Sequence, residues 1–110
     1  AIAGEWIFTL TDDARLLAIA RATGKVRWLT QLPRYRNEEK KKDPIYWSGP
    51  VLAGNNLWTV NSEGEVYRIS TGEGSASKFT DLDQPISLAP VVANNTLYVL
   101  DDSGKITAFR

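Results

Sequence analysis

The stretch "NNTLYVLDDSGKI", Asn94 to Ile106, has a near copy in "GNNLWTVNSEGEV", Gly54 to Val66. Each holds an apolar run, a polar turn containing Gly, and the start of a second apolar run. In the later copy Leu97 to Leu100 is followed by Asp101-Asp102-Ser103-Gly104 and then by Ile106 to Phe109. This pattern predicts a β-hairpin in which Gly104, like Gly64 in the earlier copy, supplies the positive φ of the turn. Trp58, Val60, Val66, Tyr67 and Ile69, and their counterparts Tyr98, Val99, Ile106 and Phe109, are strand-type residues.

Working outward, an offset of 40 aligns Pro50 with Pro90, Val51 with Val91, Ala53 with Ala93, Asn55 with Asn95, and Leu57 with Leu97. A third copy appears when "IFTLTDDARLLAIA" (Ile7 to Ala20) is laid on "LWTVNSEGEVYRIS" (Leu57 to Ser70) at an offset of 50. The ten extra residues form an insertion between Trp28 and Gly49. Ahead of two hairpins sit "PVLAG" and "PVVAN", short strands with Pro at the first position. After the first hairpin comes "KVRWLT", Lys25 to Thr30, a fourth strand.

Four short antiparallel strands repeating about every forty residues is the spacing of propeller blades. Runs such as "TLYVL" and "NLWTV" are apolar on both alternating faces, as needed when each sheet is covered on both sides. A sandwich would alternate more cleanly. The expected fold is all-β: four-stranded antiparallel blades, about two and a half of them. Residues 1–32 form a first blade portion, 33–48 an inserted charged loop, 49–84 a second blade, and 85–110 a last blade without its outermost strand. Helix is improbable outside the insertion.

Composition removes much chemistry. There is no Cys, hence no disulfide, thiolate nucleophile or zinc-thiolate site, and no His, the usual general base near neutral pH. Thirteen basic and thirteen acidic residues cancel, so no net field draws in nucleic acid or an anionic membrane. No apolar run approaches the roughly 20 residues of a membrane-spanning helix. Partners must be found by shape and local chemistry.

The stretch "AIARATGKVRW", Ala18 to Trp28, carries the most specific spacing. Gly24 takes the left-handed turn between two strands, and the Thr23 hydroxyl bonds nearby backbone. Trp28, on the outermost strand, is expected to cover small residues such as Ala18 on an adjoining blade. Ala18, Thr23, Gly24 and Trp28 resemble the tryptophan-docking motif of the quinoprotein-like β-propeller family, Ala-x-Asp-x-x-Thr-Gly-x-x-x-Trp. Ala20 departs from it at the Asp position. In the second unit Gly74 keeps the Gly position, while Lys78 stands in place of Trp.

The longer pattern from Leu16 to Val66, with the closing "PVVANNTLYVLDDSGKITAFR", is similar to the C-terminal part of the BamB family of outer-membrane assembly factors, of α-proteobacterial type. The resemblance implies a fragment of an eight-bladed, non-enzymatic scaffold that takes no cofactor. It implies a periplasmic, outer-membrane-associated parent held by a lipid anchor outside this chain. Its partners would be BamA-like periplasmic domains and precursors of outer-membrane β-barrels. Because the chain opens with Ala1 rather than Met, the expectation is a native stop at Arg110 and a cut at Ala1.

Two alternatives share the same blades. A quinone-dependent dehydrogenase would need a calcium site and a stacking Trp, and family members often add vicinal cysteines; none is recognisable. An excised or engineered set of blades would leave edges and faces open and self-associate. "TGK" at Thr23 to Lys25 lacks the G-x-x-x-x-G-K-[ST] frame of a phosphate loop. Asp12-Asp13 and Asp101-Asp102 sit at hairpin tips, where Asp is a turn former. Asp81 and Asp83 lie between units, on the rim where the family's partner surface is expected. The insertion, with its local excess of basic residues, adds Arg34, Tyr35, Arg36 and Trp47, residue types that anchor interfaces.

Overall fold

The computed structural model describes residues 1–110, and every element in it is a strand or a turn. The first sheet comprises β1 (Ile2–Ala3), β2 (Trp6–Leu10), β3 (Arg15–Ala20) and β4 (Val26–Gln31), in that spatial order. A small hairpin follows, β5 (Tyr35–Asn37) and β6 (Lys42–Pro44). The second sheet is β7 (Trp47–Ala53), β8 (Asn56–Asn61), β9 (Glu65–Ser70) and β10 (Ala76–Asp81), again in sequence order. The third holds three strands, β11 (Val91–Ala93), β12 (Thr96–Leu100) and β13 (Ile106–Phe109).

All pairings are antiparallel, and the repeated hairpins share one register: Leu57 opposes Ile69 in the second sheet as Leu97 opposes Phe109 in the third. The 18 Å thickness of the molecule is the length of a strand of five or six residues, so the strands run along its short axis. The three sheets stand face to face, and the core lies between them in two layers. Phe8, Leu16 and Ala18 from the first sheet meet Leu57 and Ile69 from the second. Val60 and Val66 then meet Val99 of the third, with Ile86 wedged in from the connecting segment. The second sheet is thus buried on both faces, which is why "NLWTV" shows no clean alternation.

Two features of the chain between the first two sheets go beyond the sequence reading. The inserted charged loop of residues 33–48 contains a hairpin. Tyr35 pairs with Pro44 and Asn37 with Lys42, while the Glu38 carboxylate accepts the backbone N–H groups of Arg34 and Tyr35 at 2.8 and 3.2 Å. The polar composition hid the hairpin because its stability comes from such side-chain bonds rather than from an apolar face. Likewise β7 starts at Trp47 rather than at Pro50. A register shift between Ser48 and Val51 absorbs the proline, which cannot donate to the ladder, and lets the strand continue.

Candidate functional site

Trp28 couples the first two sheets. Its position on β4 places it directly across from Ala18 of the same sheet, so Ala18 is its cross-strand neighbour and not a residue of an adjoining sheet, as the spacing had suggested. The indole leans out from that pair into the gap, stacks on Phe8 at 6.0 Å, and donates Nε1–H to the Thr71 carbonyl at 2.9 Å. Beneath it lies Gly74, whose φ of +73° a side chain rarely adopts; a Cβ there would sit 2.5 Å from the Trp28 ring. The Thr30 hydroxyl adds a 2.6 Å bond to the Gly74 carbonyl. Thr23 and Gly24 shape the turn that launches β4: Gly24 N–H donates to Ala20, and Lys25 N–H to the Thr23 hydroxyl.

At the opposite end of the strands the three hairpin tips, with the segments leaving β4 and β10, form one rim. The second and third tips are built the same way, by an Asn or Asp that folds back on the turn, whereas in the first the Thr11 hydroxyl accepts the Arg15 N–H at 3.1 Å. Asn61 Oδ1 accepts the N–H groups of Glu63 and Glu65; Asp101 Oδ1 accepts those of Ser103 and Lys105 together with the Ser103 hydroxyl. The Ser103 hydroxyl, with the two amides, holds the Asp101 carboxyl below its ordinary value against the opposing effect of burial. Asp13 is held low in the same manner, first by the Thr11 hydroxyl. Gly104 turns the third tip with φ +90°, and Gly64 turns the second with φ +85°. A Cβ on Gly64 would meet the Gln84 carbonyl at 2.6 Å, so the segment after β10 lies directly on that tip.

This close packing brings the sequence-predicted rim residues together. Asp81 caps the turn at Asp83 through a 2.8 Å bond to its N–H, and both carboxylates are exposed. Arg36 reaches from the hairpin to Glu63 at 2.9 Å, while Lys78 pairs with Glu65 at 3.5 Å. Tyr35, Arg36, Glu63, Glu65, Tyr67 and Asp81 surround a polar cleft of about 560 Å³ under the hairpin. Burial, reinforced by the Glu65 charge, pushes the Tyr67 phenol above its ordinary value.

A family described as outer membrane protein assembly factor BamB matches residues 1–110. The chain belongs to that family. Among solved structures, BamB from Moraxella catarrhalis matches with a TM-score of 0.77 over 97% of this chain, at 19% sequence identity. The chain spans 30% of the length of that protein. No curated protein matches it. The fold is therefore that of a BamB-like partial β-propeller, with two four-stranded blades and one three-stranded blade described here.

Within this BamB-family segment the rim residues divide by what they touch. Arg34, Arg36, Asp81 and Asp83 are exposed, and Tyr35 is half-buried under the Arg34 guanidinium. Trp47 behaves differently. It stacks edge-on against Tyr67 at 4.9 Å and donates Nε1–H to the Pro33 carbonyl at 2.7 Å, which fastens the inserted hairpin to the second blade. The aromatic left facing outward is its neighbour Tyr46, 70% exposed. Glu63, Glu65 and Tyr67 were not singled out from the sequence. Glu65 and Tyr67 alternate along β9 as in an ordinary strand and Glu63 reads as part of its turn, and only the hairpin folding back over them makes a cleft.

Proposed function

We propose that this chain is part of a non-enzymatic protein-binding scaffold, a BamB-like component of the machinery that assembles outer-membrane β-barrels. The parent works in the periplasm, is tethered to the outer membrane by a lipid anchor outside this segment, and closes as an eight-bladed ring. Its sequence pattern is of the α-proteobacterial type. The partners are BamA-like periplasmic domains and unfolded barrel precursors. The observation that carries the reading is the convergence on one rim of two features that carry exposed charges: the inserted hairpin with Arg34, Tyr35 and Arg36, and the Asp81–Asp83 turn beside it.

Such a rim suits protein recognition. Charged groups at an exposed edge set on-rate and register more than raw affinity. The cleft between them offers tyrosines, which enrich interfaces. Trp47 supports the surface from below by holding the hairpin in place. The test is a pull-down of BamA periplasmic domains on the parent protein carrying Arg36→Glu, Asp81→Arg and Asp83→Arg, singly and combined. Each reversal is expected to weaken capture, and the triple variant to abolish it, with the fold unchanged by circular dichroism. Undiminished capture by the triple variant rules out this surface.

A further inference from the structure

The inserted hairpin is fastened firmly at its base and hardly anywhere else. At the base the Arg34 carbonyl accepts the Ile45 N–H at 2.7 Å, and the Pro33 carbonyl accepts the Trp47 indole N–H at 2.7 Å. Tyr46 adds two bonds of 2.9 Å with Ser62. Beyond this base β5 and β6 pair only with each other. Every residue from Arg36 to Pro44 is exposed, so none of these side chains is buried against the blade. The hairpin holds its shape through its own groups: Glu38 accepts the amides of Arg34 and Tyr35, and Asn37 accepts that of Lys40 at 3.1 Å.

One polar contact joins residues 35–44 to the second blade. Arg36 Nε lies 2.9 Å from Glu63 Oε1, with the two side chains 67% and 32% exposed. A pair so exposed shifts an equilibrium by about fivefold at most. The surrounding charge adds a longer-range attraction. The hairpin carries Arg34, Arg36 and Lys40 to Lys42 against Glu38, Glu39 and Asp43, while the blade edge beneath carries Glu63, Glu65, Asp81 and Asp83 against Lys78. Opposite net signs thus lie on the two sides of the polar cleft of about 560 Å³. Salt screens attraction of this kind beyond about 8 Å at physiological strength. An element with a fixed base, its own internal bonds and one weak latch has two positions open to it.

We propose that the inserted hairpin is a hinged strap over this cleft, closed by the Arg36–Glu63 pair and released when salt or a charged partner segment competes for either member. The hinges are the junctions with the base, Arg34–Tyr35 and Pro44–Ile45. Closed, the strap sets Arg36 beside Asp81 and roofs Glu65 and Tyr67. Open, it uncovers them, and its tip at Glu39 stands about 13 Å from the hinge at Tyr35. The strap is a property of the free chain. It therefore goes beyond the partner surface proposed above and is tested without a partner.

Because the chain has no Cys, Glu39→Cys gives a single site for a nitroxide at the hairpin tip. The label is followed in the full chain through NMR broadening of the Glu63, Gly64 and Asp83 amides, with the amides of β2 and β3 reporting that the fold is unchanged. Strong broadening is expected at low ionic strength, falling as salt is raised to about 1 M. Arg36→Gln and Glu63→Gln should each lower the closed-to-open ratio by about two- to fivefold at low salt and remove most of the salt dependence. The reversed pair, Arg36→Glu with Glu63→Arg, should restore the broadening. Broadening that ignores salt and both single variants shows a hairpin fixed by packing and overturns the proposal. So do weak broadening at every salt concentration, and a loss that the reversed pair does not restore. Broadening passed from labelled to unlabelled copies in a mixture also overturns it, since the tip then rests on a second copy.

Discussion

Trp28 stabilises the molecule through Phe8 on its own blade and, across the gap between blades, the Thr71 carbonyl and Gly74. Trp28→Ala should cost about 3 kcal/mol, the lower end for an aromatic truncation because the ring is only half-buried. Trp28→Phe, keeping the ring but not the N–H, should cost about 1 kcal/mol more than a neutral change. Urea unfolding measures both. The sequence spacing identified this tryptophan, but Ala18 as its target was misread, since spacing alone does not say on which side of a strand pair the ring falls. At the rim, the depressed Asp101 carboxyl gives a pH prediction. Its folded-state pKa lies below the ordinary 3.8, so the unfolded chain takes up the proton first and acid favours unfolding. The stabilisation is present above pH 3.8 and lost as pH falls through the lower folded value. Asp101→Asn should therefore lower the melting temperature at pH 7, with the gap to wild type closing in acid below pH 3.8.

At the scale of elements, the hairpins were legible because each repeats a strand-turn-strand pattern with Gly at a fixed place. The bulge in β10 was not. Both outermost strands bulge, β4 before Trp28 and β10 after Lys78, so only Ser77 to Phe79 differ in placement and the apparent loss of the docking aromatic at Lys78 conceals its transfer to Phe79. Phe79→Ala should then destabilise by about 1–2 kcal/mol through the lost contacts with Trp58 and Phe109. Lys78→Ala, which removes an ion pair whose lysine is half-exposed, should cost no more than about 1 kcal/mol. Equal effects would place the register wrongly. The inserted hairpin was the least readable element, because polar residues carry no period. Its partition of aromatics, Trp47 inward and Tyr46 outward, follows from the alternation along β7 and its approach, which begins earlier than the proline suggested.

Over the whole molecule, zero net charge is distributed unevenly. The tip rim mixes both signs, with Asp12, Asp13, Glu63, Glu65, Asp81, Asp83, Asp101 and Asp102 beside Arg15, Arg34, Arg36 and Lys78, whereas Arg21, Lys25, Arg27 and Arg68 lie toward the other end. Composition could not show this, because only the fold decides which turn faces which end. The outer faces of the first and third blades also differ from the buried second. Ile2, Val26 and Leu29 on one side, and Val91, Leu100 and Ile106 on the other, are all 40% exposed or more. Surfaces of this kind associate. Light scattering of the 12.2 kDa chain at micromolar concentration should therefore give a mass above that of one copy; a clean monomer would contradict it.

The scaffold reading is tested most directly by placing a photo-crosslinking residue in the parent protein at Asp83, on the tip rim, or at Lys25, at the opposite end, and mapping adducts with BamA periplasmic domains. The account predicts adducts from position 83 and none from position 25. Adducts from position 25 alone, or from neither, would contradict it.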